Sequence, residues 1–161
     1  MTRRVAILTV SDGVAAGRRE DRSGALAAAW VAERGWQLTE HRVVADEAGR
    51  ITGELLRLSG GNKTELILTL GGTGLGPRDV TPEATAAVIE RHAPGLAEAL
   101  RADGMLKTPH AMLSRGVAGV RGNTLIINLP GSEKAVSEGL ALLTRALPHA
   151  LDLLAGHTQH V

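Results

Sequence analysis

The chain has 161 residues, long enough for one domain with a substantial apolar core. Lysine and arginine number 18 against 17 aspartates and glutamates, and this balance argues against a nucleic-acid partner. The absence of cysteine excludes a disulfide framework, a thiolate zinc site and a cysteine nucleophile, and it is typical of a cytoplasmic protein.

The N-terminal part of the chain alternates strand and helix patterns. Four segments have the periodicity of regular structure: a strand at residues 5–10, a helix at about 24–33, a strand at 37–45 and a helix around 51–58. The first strand is apolar throughout, as in a sheet covered on both faces, whereas the second alternates and is expected nearer an edge. Ser11-Asp12 ends the first strand, Asp46 follows the second, and Ser23 is predicted to cap the first helix.

The most informative stretch runs from Leu66 to Ala84 and reads strand, glycine-rich loop, helix. Leu66–Leu70 is an apolar run of strand length, and residues 71–74, Gly-Gly-Thr-Gly, follow it directly. Glycines allow positive φ and let a ligand approach the backbone closely. Thr81 is predicted to cap the next helix, which has a proline and a glutamate in its first turn. This order collects free N–H groups and is typical of a phosphate site.

Arg78 and Asp79 lie between this loop and this helix. A guanidinium binds phosphate, and a carboxylate binds a metal ion that is attached to phosphate. A surface ion pair between the two residues is the alternative interpretation, because short glycine motifs recur by chance. The loop has neither the lysine of the P-loop nor the G-x-G-x-x-G spacing, so taken alone it leaves both interpretations open.

The C-terminal part of the chain predicts two helices and two further strands. These segments are a helix at about residues 96–105, strands at 117–120 and 124–129, and a long helix at 133–147, with an irregular stretch at 107–119. Pro130-Gly131 ends the last strand, and Ser132 is predicted to cap the last helix.

Strands that alternate with helices through short loops predict a layered α/β fold with a mainly parallel sheet. In such a sheet, ligands bind outside the carboxyl ends of the strands. Four polar or glycine-rich stretches follow predicted strands, at residues 11–13, 46–47, 71–79 and 130–132. We therefore expect these four stretches to meet at one edge of the sheet and to form the functional site.

Five motifs together resemble the MogA/MoaB group of molybdenum-cofactor biosynthesis proteins, which is similar to the G domain of gephyrin. They are TVSDG at residues 9–13, DRSG at 21–24, GGTGLGPRDVTPEA at 71–84, SRGVAG at 114–119 and NLPGS at 128–132. The resemblance covers nearly the whole chain and implies a single domain over residues 1–161. It further implies three-layer α/β/α subunits, assembled as a homotrimer, and a molybdopterin-binding site.

The resemblance also implies a reaction. In active members of the group, Mg-ATP adenylylates the terminal phosphate of molybdopterin and pyrophosphate is released, so ATP and Mg²⁺ are the expected co-substrate and cofactor. A non-catalytic molybdopterin-binding or scaffold protein of the MoaB type is the first alternative. A nucleotide pyrophosphatase related to the competence-damage family is the second. The molybdenum-insertion protein of the same pathway is the candidate protein partner, and no membrane partner is expected because no apolar run is long enough to cross a bilayer.

Matching motif positions implies catalytic roles and Mg²⁺ ligation for Asp46 and Asp79. Substrate binding is implied for a second set of residues at or near the carboxyl edge of the sheet, which we call the rim: Ser11, Asp12, Gly71, Gly72, Thr73, Gly74, Thr81, Ser114, Pro130, Gly131 and Ser132. Glu133 departs from the proline that many members have after LPGS. His110 lies near Ser114 and is a further candidate for substrate contact, and His157 with His160 is a weaker candidate for a metal site.

Overall fold

The computed structural model describes residues 2–158, so His160 of the candidate histidine pair lies outside the described residues. Six strands form one mixed sheet in the order β2-β1-β3-β6-β5-β4. The strands are β1 (Arg4–Val10), β2 (Gln37–Val44), β3 (Leu66–Leu70), β4 (Arg91–His92), β5 (Ala118–Arg121) and β6 (Thr124–Leu129). Strands β2, β1, β3 and β6 are mutually parallel, and β5 pairs antiparallel with both β6 and β4. The predicted α/β class and mainly parallel sheet are confirmed, and β2 lies at an edge as its alternation indicated.

Seven helices connect or flank these strands within residues 2–158. They are α1 (Asp12–Ala15), α2 (Arg22–Glu33), α3 (Ala48–Ser59), α4 (Thr81–Ala86), α5 (Pro94–Met105), α6 (Glu133–Leu143) and α7 (Leu147–Leu154). The irregular stretch before β5 contains a short 3₁₀ segment, Pro109–Leu113. None of the helices in the described part of the chain is long and apolar enough to span a membrane.

Two apolar clusters, one on each face of the sheet, make the fold three-layered. Alternate residues of β1, such as Ile7 and Leu8, point to opposite faces, because side chains alternate along a strand. Helices α2, α6 and α7 cover the face that includes Ile7, and α3 and α4 cover the face that includes Leu8. Each cluster packs against one face of the central parallel strands, and together they fix the positions of those strands.

Several predicted boundaries were wrong. Asp21, and not Ser23, caps α2: its carboxylate accepts the Gly24 N–H at 2.9 Å. Val80 occupies the cap position of α4, and Thr81 is the first helical residue, with no side-chain cap. The helix predicted at 133–147 ends earlier, at Leu143. A separate helix begins at Leu147, as Pro148 predicts, because a proline in the first turn has no N–H to continue the earlier helix.

Candidate active site

The carboxyl ends of the four parallel strands meet as predicted, and the first contact among them is made by two aspartates. Asp12 follows β1 and Asp46 follows the neighbouring strand β2. The Asp12 N–H donates to Asp46 Oδ2 at 2.8 Å, and the Asp46 N–H donates to Asp12 Oδ1 at 3.0 Å. This reciprocal pair fixes both backbones and leaves Asp46 Oδ1 without a protein donor among residues 2–158.

The glycine loop after β3 contains glycine because other backbone segments and side chains lie against it. Gly71 has φ of 102°, and a Cβ there would collide with the Val10 carbonyl oxygen. Gly131 faces it from the loop after β6: a Cβ on Gly131 would lie 3.3 Å from the Gly71 Cα. These two glycines therefore allow three strand ends to converge on the same space.

Asp79 lies over two further glycines, Gly74 and Gly76. A Cβ on Gly74 or on Gly76 would lie 2.9 Å from Asp79 Oδ2. The same carboxylate oxygen accepts the Gly76 N–H at 2.9 Å, and the Asp79 N–H donates back to the Gly76 carbonyl at 3.0 Å. Residues 76–79 are thus a closed turn that holds the Asp79 carboxylate beside the loop.

The loop carries unused backbone donors. Within residues 2–158, the N–H groups of Gly72, Thr73 and Gly74 have no protein acceptor, although the Gly72 and Thr73 carbonyls accept from Thr81 and Arg115. Backbone N–H groups are rarely left unpaired unless water or a ligand takes them. A row of such donors is the usual backbone arrangement for binding phosphate oxygens.

Arg78 does not pair with Asp79, so the surface ion pair that formed the alternative interpretation is wrong. Its guanidinium binds Asp12 instead, with Nε 3.1 Å from Oδ2 and NH2 3.0 Å from Oδ1. This hydrogen-bonded contact lowers the pKa of Asp12, which stays ionised.

Asp46 lies in the opposite electrostatic environment. Burial raises the pKa of Asp46, and the negative charges of Asp12 and Asp79 raise it further against the opposing hydrogen bond from Asp12. A cation near the free Oδ1 would stabilise the ionised form of Asp46. Asp46 is therefore the carboxylate of the rim that is best suited to bind a cation.

A buried hydroxyl beside Asp46 tests whether a magnesium ion fits. Thr81 Oγ1 is fully buried and has no hydrogen-bond partner among the described residues. A Cβ on Gly72 would collide with Thr81 Oγ1 and lie 3.1 Å from Asp46 Oδ1, so both oxygens face the cradle that Gly72 leaves open. Two oxygen ligands at one point fit Mg²⁺, which takes further ligands from phosphates and water. Within residues 2–158, no group of three or more acidic or histidine side chains forms a metal cage.

A polar cavity of about 830 Å³ opens beside these aspartates. Its lining combines the predicted rim residues with the loop that precedes α2: Ser11, Arg18, Arg19, Asp21, Ser23, Asp46, Gly71, Gly72, Asp79, Gly131 and Ser132. Arg18 and Arg19 are exposed, and in the described part of the chain neither forms an ion pair. Sequence reasoning missed both arginines, although the doubled basic pair in a polar loop after a strand was a visible signal.

A second, less polar cavity of about 410 Å³ lies on the other side of the glycine loop. The two loops contribute Thr73, Gly74, Pro130 and Ser132 to its lining. The rest of the lining includes His110 of the 3₁₀ segment, Ser114 directly after that segment, and Asn128 of β6. Sequence reasoning missed Asn128, which is buried and donates to Thr69 Oγ1 at 2.8 Å and Thr85 Oγ1 at 3.0 Å. A buried asparagine within a predicted strand was the signal for such a network.

The glycine loop and the 130–132 segment form a ridge that separates the two cavities. Ser132 lines both of them, and its hydroxyl caps α6 by accepting the Ala135 N–H at 3.2 Å, as predicted. Ser23 Oγ donates to the Gly131 carbonyl at 2.6 Å and fixes the ridge from the polar side. The structure therefore places the predicted residues of the strand-end stretches around this ridge, with Ser114 on one side and Asp46 on the other, while Asp12 and Thr81 line neither cavity.

Comparison with known proteins gives one family. The profile described as "Probable molybdopterin binding domain" matches residues 6–149. The molybdopterin adenylyltransferase of Helicobacter pylori (strain 26695) is 36% identical over 159 residues, covering 98% of this chain and 90% of the relative. The solved structure of the molybdopterin biosynthesis enzyme MoaB from Thermus thermophilus is 48% identical with a TM-score of 0.90, covering 96% of this chain and 98% of that one.

Longer relatives match as well. The molybdenum cofactor biosynthesis bifunctional protein of Synechococcus elongatus is 43% identical over 150 residues, which is 93% of this chain and 47% of the relative. The chain thus spans less than half the length of several curated relatives that it matches.

Proposed function

This chain belongs to the molybdopterin-binding domain family of molybdenum cofactor biosynthesis, and from that premise we propose that it is an Mg-ATP-dependent molybdopterin adenylyltransferase. The observation that carries the proposal is the ridge of unused backbone donors between two cavities of different polarity. One cavity is suited to a triphosphate, the other to the less polar pterin, and the two phosphate ends would meet at the ridge.

The reaction joins two phosphates. A terminal phosphate oxygen of molybdopterin attacks the α-phosphorus of ATP and forms a new P–O–P anhydride. The bond between the α-phosphorus and the α,β-bridging oxygen breaks, and pyrophosphate leaves with that electron pair. The attacking phosphate is already ionised at neutral pH, so no strong general base is needed, and positioning with charge neutralisation is the main task of the protein.

Each part of the site has one role in this proposal. The N–H groups of Gly72, Thr73 and Gly74 hold phosphate oxygens in line, and Ser114 contacts the pterin side. Asp46 and Thr81 would hold the magnesium ion of Mg-ATP together with Asp79, and that ion would supply charge neutralisation on the phosphates. Arg18 and Arg19 line the same polar cavity, and their charge would favour the pyrophosphate as it leaves.

Assembly and location are further parts of the proposal. We expect a homotrimer in the cytoplasm. The match covers 47% of a bifunctional relative of molybdenum cofactor biosynthesis, and we propose the molybdenum-insertion protein of the same pathway as a partner.

Incubation with molybdopterin, ATP and Mg²⁺ tests the function through pyrophosphate release. We expect release that requires molybdopterin and stops when Mg²⁺ is chelated. Tight molybdopterin binding without turnover would favour the non-catalytic alternative, and hydrolysis of ADP-ribose without any pterin would favour the nucleotide pyrophosphatase.

A further inference from the structure

Arg115, next to the predicted substrate residue Ser114, is hydrogen-bonded to the glycine loop at two separate points. Its Nε donates to the Gly74 carbonyl at 2.8 Å and its NH2 to the Asp79 carbonyl at 2.7 Å. Its backbone N–H donates to the Thr73 carbonyl at 2.8 Å, and its NH1 pairs with Glu83 of α4. One guanidinium thus holds both ends of the loop segment 74–79 and the helix that follows.

We propose that Arg115 is a positioning residue for the adenylylation proposed above: it fixes the turn that carries Asp79 relative to the ridge of phosphate donors. Residues 76–79 form a turn closed by their own hydrogen bonds, so the turn keeps its shape without help. These internal bonds do not fix the position of the turn relative to the rest of the protein. Within residues 2–158, the polar contacts from segment 74–79 to the rest of the protein are those of Arg115 and the pair of Arg78 with Asp12.

Arg115 is itself anchored, so it can transmit a fixed position. Arg101 NH1 donates to the Ser114 carbonyl at 3.2 Å and to the Gly116 carbonyl at 2.8 Å, which holds the backbone on both sides of Arg115. The Val117 N–H donates to the buried Asn128 at 3.1 Å. The segment that presents Ser114 to the less polar cavity therefore also sets the position of Asp79 beside the polar one.

The positive charge of Arg115 is neutralised by a carboxylate of the protein, that of Glu83. Its ion pair lowers the pKa of Glu83, so the carboxylate stays ionised beside the guanidinium. The planar fork of arginine meets two carbonyls and one carboxylate at once, which a lysine ammonium on a flexible stem does not reproduce. Arg115 therefore acts through the loop, not by touching a phosphate.

Arg115→Lys tests the proposal against a matched control, Arg121→Lys. Arg121 is half-buried, and its NH1 donates to the Val88 carbonyl at 3.1 Å at the opposite end of the sheet. We expect kcat of Arg115→Lys to fall roughly 10- to 100-fold, because a misplacement of about 1 Å at a reacting centre has this effect. KM for molybdopterin should change little, because Arg101 still holds Ser114. The control should keep both constants.

Limited digestion with trypsin gives a readout that does not depend on turnover. The loop contains Arg78, so loss of the Arg115 contacts should make cleavage after Arg78 severalfold faster, as followed by mass spectrometry, while Arg121→Lys is cut at the wild-type rate. If Arg115→Lys does not fold, Arg115→Gln takes its place in both assays. Unchanged cleavage, or kinetic constants equal to those of the control, would overturn the role of Arg115. A wild type without molybdopterin-dependent turnover would instead overturn the proposed function, while the cleavage rate still decides the positioning role.

Discussion

Three aspartates converge at the residue scale, and each is held differently. Asp12 is neutralised by Arg78, Asp46 is destabilised by burial and by its neighbours, and Asp79 closes a turn over two glycines. Of the three, Asp46 and Asp79 present charge to the polar cavity without a basic side-chain partner among residues 2–158. In the proposed reaction, these two carboxylates supply the negative charge that would hold the magnesium ion.

Asp79→Asn is expected to fold normally and to lose most turnover, roughly 100-fold or more in kcat. The amide oxygen can still accept the Gly76 N–H, so the turn is preserved, and only the negative charge is removed. Steady-state pyrophosphate release on the variant, with circular dichroism as the folding control, checks this. Wild-type turnover in a folded variant would show that Asp79 is only a turn residue.

Asp46→Asn is expected to make the protein more stable at neutral pH. The raised pKa of Asp46 means that the folded chain binds this proton more tightly than the unfolded chain does. The free energy of unfolding of the wild type therefore falls as pH rises from the ordinary aspartate range through the raised pKa. The asparagine lacks this titration and can still accept the Asp12 N–H.

Calorimetry across pH checks this expectation. At pH 7 the Tm of Asp46→Asn should exceed that of the wild type, because the asparagine carries no buried negative charge. The difference should vanish below about pH 4, where the aspartate is protonated in both states. A variant less stable than wild type at pH 7 would contradict the buried, destabilised carboxylate described above.

Among single residues, the sequence predicted a role that depends on neighbouring residues and missed roles that depend on distant segments. Ser132 caps α6 as predicted because a cap needs only the residues that directly follow it. Thr81 was wrongly predicted as a cap, because its buried hydroxyl faces Gly72 and Asp46 from distant segments. The role of Arg115 was missed for the same reason, because the partners of its side chain lie 32 to 41 residues earlier in the chain.

At the element scale, the loop between α1 and α2 is the feature that the motifs did not explain. Arg18 and Arg19 line the polar cavity, and a Cβ on Gly13 would lie 2.9 Å from the Arg19 side chain. The loop therefore packs against the turn that follows β1, which brings two cations toward the aspartates. In the proposed reaction they bind the phosphates that leave.

Replacing both arginines, Arg18→Gln with Arg19→Gln, is expected to raise KM for ATP about tenfold or more, since each charge-assisted contact contributes roughly 1.5–3 kcal/mol at most when desolvated and less when exposed. KM for molybdopterin should stay near the wild-type value. The matched control is Arg50→Gln with Arg57→Gln, two exposed arginines of α3 whose partners are Glu47, Glu54 and Glu40. Equal KM values for ATP in the two double variants would contradict the role of the loop.

Long periodic elements were predictable, and short or shared ones were not. Strand β3 has the predicted bounds because its apolar run is closed by glycine. Strand β4 is two residues long and owes its existence to pairing with β5, so no local pattern indicates it. The leucines at 140, 143 and 147 could have faced either the core or a second subunit, and the structure places them in the core.

Across the whole molecule, four of the eight large apolar side chains that are exposed in the described part of the chain lie at the end of α5 and in the 3₁₀ segment after it. Met105, Leu106, Met112 and Leu113 are exposed, and Leu106 is 85% accessible. Such a group on one surface is typical of a subunit contact. It is a better candidate for the expected trimer contact than Leu140, Leu143, Leu147 and Leu151 of α6 and α7, which are buried.

Light scattering at micromolar concentration is expected to give three times the chain mass of 16.8 kDa. Leu106→Glu should shift the protein toward the single-chain mass, because it places a charge within a dry contact. The exposed Leu56→Glu on α3 is the matched control and should leave the mass unchanged. A wild type that elutes and scatters as a single chain would reject the homotrimer.

Adenylyl transfer from ATP to molybdopterin can be followed with labelled phosphorus. ATP labelled in the α-phosphate and ATP labelled in the γ-phosphate are each incubated with the protein, Mg²⁺ and molybdopterin, and the products are separated. We expect the α-label to enter the pterin product and the γ-label to appear only in pyrophosphate. Label from the γ-phosphate in the pterin product, or α-label found only in free AMP, would contradict adenylyl transfer.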